Sequence, residues 1–158
     1  MGRSLLVCET LINQKPLAVA TVHLESLNNA ELRAEQMKIA FEVINMFEDA
    51  ILMGDFNFDS SWTKEQAVID KGFDDIYLAL HAGVETFTMP KTPRFGAWRP
   101  DKVLLKRSAC WVAKHIKVIG KFSIPTFKEE DPMLIVSDGR VRTPSDHYGL
   151  YAVFKLKS

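Results

Sequence analysis

The sequence predicts a mixed α/β fold, and three local patterns support this prediction. Two short runs of apolar or β-branched residues, 4–10 and 16–22, flank Asn13-Gln14-Lys15, which is typical of a β-hairpin. A capping-box pattern then introduces a segment with apolar residues at helical spacing. A short apolar run that stops at Gly54 follows it. Because the period of the hydrophobic pattern changes several times, we expect strands and helices to share one α/β domain.

The first helix is predicted over residues 29–47. Asn28 and Glu31 have the spacing of a capping box, in which each side chain bonds a backbone N–H group near the other residue. The apolar residues that recur at helical spacing in this segment are Met37, Phe41 and Ile44. Residues 50–53 are predicted to form a strand, and its carboxyl end is where α/β folds place functional residues.

The rest of the chain is predicted to contain short helices, a surface loop and closing strands. The helices are 64–70 and 74–81, the loop is 85–97, and the strands are 102–105, 110–119 and 148–156. The loop is rich in Thr, Pro, Lys and Arg, and such loops contact substrates more often than cores do.

Composition gives the general class of protein. With 158 residues, 47% of them hydrophobic and 25% charged, the chain fits one globular domain. The formal net charge of zero means that any contact with a polyanion must come from a local basic patch. Cys8 and Cys110 stand among apolar residues, so we expect two reduced, buried thiols and an intracellular protein. The apolar run 5–7 is too short for a signal peptide and no stretch has the length of a membrane span, which predicts a soluble protein.

Polar residues gather at four predicted strand ends or loops. These clusters are His23-Leu24-Glu25-Ser26, Gly54-Asp55-Phe56-Asn57, Arg99-Pro100-Asp101-Lys102 and Ser145-Asp146-His147. Hydrolysis of a phosphodiester needs a carboxylate to activate water, donors or a cation to stabilise the charged transition state, and ligands for a metal. The imidazoles, carboxylates and amide of the clusters supply most of these groups.

Each cluster also has a purely structural interpretation. Asp55 and Asn57 are typical turn residues after a strand. An Asp-His pair such as Asp146-His147 is more often structural than catalytic, and His23 fits a partly buried strand end. Asp101 fits the start of a strand, with the charged residues beside it forming a solvated rim.

In their order along the chain, however, the clusters resemble motifs of the endonuclease/exonuclease/phosphatase superfamily. Gly54-Asp55-Phe56-Asn57 resembles its G-D-x-N motif, Arg99-Pro100-Asp101-Lys102-Val103 resembles R-x-D-x-[IV], and Ser145-Asp146-His147 resembles S-D-H. His23-Leu24-Glu25-Ser26 precedes a helix that carries Arg33, Gln36, Met37 and Lys38. This combination is similar to the 5′-tyrosyl-DNA phosphodiesterases of the superfamily.

The resemblance implies that residues 1–158 form the C-terminal half of the family's catalytic domain. That domain is a four-layer α/β sandwich of two mostly antiparallel or mixed sheets with flanking helices. The first half of the domain, which carries an Asn on an early strand and the Glu that binds the metal, has no counterpart in this sequence. We therefore expect weak or no activity from this chain alone. An exposed sheet edge left by the missing half is expected to favour association with another chain.

The resemblance also gives the polar residues roles, position by position. Asp55 would orient and deprotonate the attacking water, and Asn57 would help hold the water and the phosphate. His147 would stabilise charge on the scissile phosphate, with Asp101 bonded to its imidazole. The residues that would contact phosphate oxygens are His23 and Ser26. Asp146 would lie near the metal, through a water, and the implied metal is Mg²⁺, with Mn²⁺ as an alternative.

The substrate implied by the resemblance is DNA with a 5′-phosphotyrosyl adduct, such as topoisomerases leave. Its hydrolysis would leave a 5′-phosphate and serve DNA repair in the nucleus or the cytoplasm. Arg94, Trp98 and Arg99, with Lys91, are the candidates for contacts to the DNA strand. In vertebrate members a basic residue stands two positions after the motif Asn, whereas this chain has Asp59.

Two other functions fit the same residues. The first is a related phosphodiesterase that acts on abasic DNA, poly(A) RNA or a phospholipid head group. The second is a catalytically silent fragment that binds DNA or protein. Hydrolysis of these substrates, compared side by side, separates the first, and DNA binding without metal-dependent turnover favours the second.

Overall fold

The computed structural model describes residues 2–84, 86–93, 95–108, 110–121 and 145–157. In chain order the elements are β1 (Leu5–Ile12), β2 (Lys15–His23), α1 (Ala30–Ile44), β3 (Ala50–Asp55), α2 (Thr63–Gln66), β4 (Phe73–Asp75), α3 (Ile76–Leu80), β5 (Asp101–Lys106), β6 (Trp111–Ile119) and β7 (Gly149–Leu156). One sheet has the strand order β1-β2-β3-β5-β4, and β6 and β7 form a second sheet. Since β2 and β3 run parallel and the other neighbours antiparallel, the larger sheet is mixed, and the predicted α/β class is confirmed.

The predicted hairpin is present with a tighter turn than expected. The strands β1 and β2 pair from Leu5 opposite Val22 to Ile12 opposite Lys15, so only Asn13 and Gln14 form the turn. Both turn residues have positive φ, 51° and 63°. This is the backbone of a type I′ turn, whose twist matches the right-handed twist of paired strands.

Helix α1 packs on one face of the sheet and forms the first of two cores. Its buried apolar residues are Met37, Ala40, Phe41 and Ile44. On the sheet side the contacts come from alternate residues of β2, namely Ala18, Ala20 and Val22, together with Ala50, Leu52 and Leu104. The alternation follows from the two-residue repeat of a strand.

The opposite face of the sheet packs on the β6–β7 hairpin. This second core contains Leu17, Ile51, Val103 and Leu105 from the larger sheet, Trp111 and Ile116 from β6, and Ile76 and Tyr77 from α3. Ile51 and Leu52 are neighbours in sequence yet belong to different cores, as successive strand residues must. The sheet is therefore covered on both faces, so the predicted site residues can meet a ligand only at its edge.

The prediction of a capping box at the start of α1 is wrong. The residue that precedes the helix is Asn29, and its side chain makes no capping bond. It donates instead to the carbonyl of Ser26, at 2.8 Å. Arg33 bridges this entry from inside the helix, because its guanidinium donates to the carbonyls of Glu25 and Leu27 at 3.1 and 2.7 Å. The helix also ends at Ile44, earlier than predicted.

The segment predicted as a helix over 74–81 is divided between two elements. Phe73–Asp75 forms β4, which pairs with β5, and only Ile76–Leu80 is helical. The change occurs at Asp75, whose carboxylate accepts a bond from the N–H of Tyr77 and caps α3. The predicted helix 64–70 is likewise shorter, Thr63–Gln66. The described part of 85–97 forms a loop, as predicted, with one isolated bridge from Met89 to Trp98 just after it.

Both cysteines are free, as predicted, but they are not buried as predicted. Cys8 is exposed and Cys110 is half-buried. Cys8 lies opposite Val19, on the face that carries the β6–β7 hairpin. At the edge strand β1 this face is open, since the neighbouring Leu6 is 68% exposed. No helix in the described part of the chain is long and apolar enough to cross a membrane.

Candidate active site

Three adjacent strands bring three of the predicted site residues into one row. His23 ends β2 and pairs with Asp55 at the end of β3, which in turn pairs with Asp101 at the start of β5. Directly paired residues of neighbouring strands have their side chains on the same face. The distance from His23 Nε2 to Asp55 Oδ2 is 3.3 Å. Clusters that are far apart in the sequence therefore meet at one edge of the sheet.

Gly54 and Asn57 give the strand end its shape. Gly54 has a φ of +136°, and a Cβ atom at this position would lie 2.0 Å from the carbonyl oxygen of Val22. Only glycine fits such a contact. Asn57 is left-handed, with a φ of 55°. Its N–H donates to Asp55 Oδ1 at 2.8 Å, and its side-chain amide donates to the carbonyl of Leu24 at 2.9 Å.

Two phenylalanines anchor the same segment. Phe56 and Phe58 alternate with the polar residues and are fully buried, with 0% exposure. Their rings meet edge to face at 6.0 Å. Because Phe56 and Phe58 occupy the core, Asp55 and Asn57 are directed to the other side of the segment. Along the G-D-x-N pattern, residues that line the cavity thus alternate with residues buried in the core.

An open cavity of about 450 Å³ lies at this edge. It is lined by Arg3, His23, Ser26, Asp55, Asn57, Asp146 and His147. Asp101 joins the same group through its bond to His147. The structure therefore brings together every predicted catalytic residue, the predicted phosphate contact Ser26 and the predicted metal neighbour Asp146.

His147 is oriented by a carboxylate. Its Nδ1 atom lies 2.9 Å from Asp101 Oδ2, which is the contact that the resemblance implies. The backbone N–H of His147 also donates to Ser145 Oγ, at 3.1 Å. With Nδ1 occupied by Asp101, the other ring nitrogen, Nε2, remains to contact a ligand. His147 is thus held at its ring by Asp101 and at its backbone by Ser145.

The environment of Asp55 changes the acidity of its carboxyl group. Burial raises the pKa of its carboxyl group, and the nearby charge of Asp101 acts in the same direction. The N–H of Asn57 and the imidazoles of His23 and His147 oppose this rise without cancelling it. A carboxylate with a raised pKa takes a proton from water more readily than an ordinary one.

The same residues can hold a divalent cation. Asp55, Asp101 and His147 each offer a ligand atom, and these atoms lie within 4.8 Å of one another. Asp146 lines the adjoining cavity. Carboxylate oxygens suit Mg²⁺, and a mixed set of carboxylates with an imidazole is also accepted by Mn²⁺. The donor set therefore fits the expected metals.

Arg3 belongs to the site and was missed by the sequence analysis. Its guanidinium donates to Glu25 Oε1 at 3.0 Å and to Ser26 Oγ at 3.4 Å. The hydrogen bond from Arg3 lowers the pKa of Glu25. The signal for Arg3 was the hairpin register, because pairing of Leu5 with Val22 places the preceding residues beside the end of β2. Arg3 therefore lines the cavity as one partner of an ion pair with Glu25.

The predicted substrate contacts are placed differently. Arg94 lies outside the described residues. Arg99 is only 2% exposed, and its two terminal nitrogens bond the carboxylate of Asp75 at 2.7 and 3.3 Å. A buried guanidinium that is paired in this way does not reach a phosphate. The structure thus corrects the expectation for Arg99 and gives it a role in holding the loop.

Lys102 is a second buried cation next to the site. It is 1% exposed, and its Nζ atom lies 4.4 Å from the ring centre of Phe58 and 3.1 Å from Ser60 Oγ. Burial, together with the charge of Arg99, lowers the pKa of Lys102 to about 7. Lys102 therefore packs against the segment that follows Asn57. The sequence context suggested a solvated charged rim instead, and the burial of Lys102 contradicts this interpretation.

Comparisons with known proteins identify the fold. No protein-family model matches the sequence, and a comparison with curated proteins gives no match. Among solved structures, D. rerio TDP2 complexed with a single strand DNA product matches with a TM-score of 0.71 at 24% identity, over 97% of this chain and 62% of that chain. An endonuclease/exonuclease/phosphatase family protein from Bacteroides thetaiotaomicron matches with a TM-score of 0.62 at 22% identity, over 90% and 51% of the two chains.

A mannosyl-6-phosphatase of Bacteroides thetaiotaomicron also matches, with a TM-score of 0.62 at 21% identity, over 88% of this chain and 51% of that chain. This chain spans about 60% of the length of the TDP2 structures that it matches. At sequence identities of 24% and below, the structural similarity shows the fold of this chain but does not identify its substrate. The resemblance predicted from the sequence motifs is confirmed at that level: the chain has the fold of the endonuclease/exonuclease/phosphatase hydrolases, TDP2 structures among them.

Proposed function

We propose that the protein is a metal-dependent phosphodiesterase that hydrolyses the bond between a tyrosine and a DNA 5′-phosphate. The observation that carries this proposal is the meeting of Asp55, the Asp101–His147 pair and His23 at one cavity. A base, an oriented imidazole and a cation at the wall are the groups that attack on a phosphate requires.

In the proposed reaction, Asp55 accepts a proton from the attacking water, and Asn57 orients this water through its amide. The water oxygen forms a bond to phosphorus, and the bond from phosphorus to the tyrosyl oxygen breaks. The products are a DNA 5′-phosphate and free tyrosine, whose phenolic oxygen takes up a proton. A phenol with a pKa of about 10 leaves more readily than a sugar hydroxyl.

Charge on the phosphate is stabilised by donors around the cavity. His147 contacts a phosphate oxygen through Nε2, while Asp101 fixes the ring. Arg3 and Ser26 lie on the cavity wall and donate to the remaining oxygens. Each such donor is worth a few kcal/mol when it is held in place before the reaction. Mg²⁺, held near Asp146 through a water, would supply a further positive charge at the phosphate.

The activity of the isolated chain is proposed to be weak. The resemblance places the Glu that binds the metal in the other half of the family's domain, and this chain spans about 60% of the TDP2 structures. The carboxylates that are present leave the cation with an incomplete set of ligands. A polypeptide that supplies the other half should therefore restore turnover.

The test is Mg²⁺-dependent release of tyrosine from a 5′-phosphotyrosyl oligonucleotide, with and without an added first half of a TDP2-like domain. Asp55→Asn and His147→Ala serve as controls, since each removes one proposed role. Turnover that appears on complementation and disappears in both variants supports the proposal. If abasic DNA, poly(A) RNA, a phospholipid or a sugar phosphate is hydrolysed faster, the substrate assignment is wrong. Oligonucleotide binding without turnover in any mixture would indicate a silent binding fragment.

A further inference from the structure

The outer side of helix α1 carries a row of apolar residues that the first core does not use. Leu32, Ile39 and Met46 are 48%, 60% and 77% exposed. They stand seven residues apart, which is about two helical turns, so they follow one line along the helix and just past its end at Ile44. Single exposed apolar residues are common on protein surfaces, whereas a continuous row of them is typical of a contact surface.

The same side of α1 is acidic. Glu35 and Glu42 are exposed and each lie three or four residues from members of the apolar row, and Glu31 is exposed one turn earlier. Of the two cations in α1, Arg33 is buried and Lys38 pairs with Glu35. The outer side of α1 therefore combines apolar surface with an excess of negative charge. We call this surface, made of Glu31, Leu32, Glu35, Ile39, Glu42 and Met46, the acidic helix face.

The outer face of the β6–β7 hairpin also carries exposed apolar residues. Ile119, Tyr151 and Val153 are 42%, 49% and 36% exposed. The residues that alternate with them on β7, such as Leu150 and Ala152, pack into the second core. The exposed residues therefore lie on the face of the hairpin that is turned away from the larger sheet.

This outer face of the hairpin is basic. Lys117 is paired with Tyr151 across the two strands, and its Nζ atom lies 5.5 Å from the centre of the Tyr151 ring. Lys155 is exposed on β7, and Lys114 is exposed at the β-bulge in β6. Neither β6 nor β7 contains an Asp or a Glu. We call this surface, made of Lys114, Lys117, Ile119, Tyr151, Val153 and Lys155, the basic hairpin face.

The two faces are complementary, but they lie on opposite sides of the molecule. Helix α1 packs on one face of the larger sheet, and the hairpin packs on the other. One chain therefore cannot bring the two faces together, whereas two copies can. The 15 residues of α1 span about 22 Å at 1.5 Å per residue. The eight residues of β7 span about 26 Å at 3.3 Å per residue, so a helix of this length covers most of the hairpin.

From these observations we propose that the acidic helix face of one copy binds the basic hairpin face of a second copy. A helix on a sheet face is the same kind of packing that joins α1 to its own sheet. Apolar side chains leave water in the contact, and opposite charges meet around them. Because the two faces differ, the contact is head to tail, and a bound pair still has one free face of each kind. The contact uses none of the cavity residues and does not depend on the proposed hydrolysis.

Sedimentation equilibrium of the full chain tests the proposal. At low ionic strength the weight-average mass should rise with protein concentration beyond that of a dimer, because a head-to-tail contact does not close within a pair of copies. Raising NaCl from about 0.05 M to about 0.5 M should weaken the association, since salt screens exposed charges. A chain that stays monomeric at millimolar concentration and low salt would overturn the proposal.

Charge reversal on each face gives a sharper test, because every changed position is exposed. One variant combines Glu31→Lys with Glu42→Lys, and the other combines Lys117→Glu with Lys155→Glu. Each variant alone should associate about tenfold more weakly, since faces of like charge would meet. An equimolar mixture should recover the association, because each altered face then meets an altered face of opposite charge.

Glu9→Lys and Lys64→Glu are matched controls, since they reverse exposed charges outside both faces, and they should leave association unchanged. Circular dichroism shows that each variant is folded, and folded variants that do not recover association on mixing would contradict the proposal. Association that persists in both double variants would place the contact elsewhere, such as at the edge strand β1. If the lysine variant associated normally and instead bound an oligonucleotide less tightly, the hairpin would be a site for a polyanion and the proposal would be wrong.

Discussion

Asp101 and His147 lie 46 positions apart in the chain, and yet the carboxylate of the first holds the imidazole of the second through a contact of 2.9 Å. Their side chains are 21% and 25% exposed, so water competes only partly for this bond. Asp101 stands at the start of β5 and is fixed by pairing with Asp55. The orientation of the imidazole is therefore set by the sheet rather than by the segment to which His147 belongs.

Asp101→Ala should lower kcat by about 10–100-fold and leave KM nearly unchanged, because the imidazole remains but loses its fixed orientation. Asp101→Asn retains an acceptor oxygen and should lose less. The measurement is steady-state hydrolysis of the phosphotyrosyl oligonucleotide by the complemented chain. NMR detection of the protected Nδ1 proton of His147 provides a readout without activity, and its persistence in Asp101→Ala would contradict the assigned role.

Turnover should be lost on acidification at a higher pH than an ordinary aspartate would give, since burial raises the pKa of Asp55 above its usual value of about 4. Asp55 must be ionised to accept a proton, so activity falls as the pH decreases through this raised pKa. A pH–rate profile with an acid limb at or below the usual value would disprove the role of Asp55 as the base.

The same carboxylate should weaken the fold at neutral pH. A raised pKa in the folded state means that burial penalises the ionised form, and this penalty is relieved as the pH falls through the raised pKa. Asp55→Asn should therefore raise Tm at pH 7, by about 2–4 °C for each kcal/mol relieved, and lose this advantage in acid.

Asp59→Asn is a control for Asp55→Asn, because its change in Tm is expected to have the opposite sign. Burial acts to raise the pKa of Asp59, but hydrogen bonds from the N–H groups of Arg99 and Ser61 outweigh it and lower the pKa. Here the ionised form is the stabilised one, and this stability is present at neutral pH and lost in acid. Asp59→Asn should therefore lower Tm at pH 7. Shifts of the same sign for both variants would contradict the account of either site.

Arg99→Met should destabilise the protein by about 3–5 kcal/mol, because the buried carboxylate of Asp75 would lose its ionic partner. Adding Asp75→Leu to the same chain should recover much of this loss, since an apolar pair can replace a buried ion pair. Urea denaturation measures both effects. If Arg99→Met instead kept its stability and bound oligonucleotide less tightly, Arg99 would be a substrate contact after all.

Lys102→Met should raise Tm more at pH 6 than at pH 9. Burial lowers the pKa of Lys102 to about 7, so below pH 7 the folded state holds the charge and bears its full penalty. The folded side chain loses its proton near pH 7, and the penalty is relieved as the pH rises from there to the ordinary pKa of lysine, at which the unfolded side chain becomes neutral as well. Lys64→Met, at an exposed position on α2, is the control and should show no such trend. A difference that is independent of pH would indicate that only packing had changed.

The elements that carry the site could be predicted because their signals are local. β2 and β3 are apolar runs that end at polar residues, so both strands and their ends can be recognised in the sequence. When such strands pair, their ends lie close together at one edge of the sheet. β4 has only three residues, which is too short to show a period, and Asp75 both ends this strand and caps α3. The burial of Arg99 depends on Asp75, and the stacking of Trp98 depends on Trp62. These contacts come from distant parts of the chain, and no local pattern encodes them.

Backbone bonds continue the row of His23, Asp55 and Asp101 on either side. The N–H of Leu24 donates to the carbonyl of Asp55 at 2.9 Å, and the N–H of Phe56 donates to the carbonyl of Pro100 at 3.0 Å. These bonds extend the pairing of the central strands past the row, so we expect their amides to exchange with solvent more slowly than those of the surrounding loops. A ligand would therefore meet groups whose positions are fixed by the sheet before it binds.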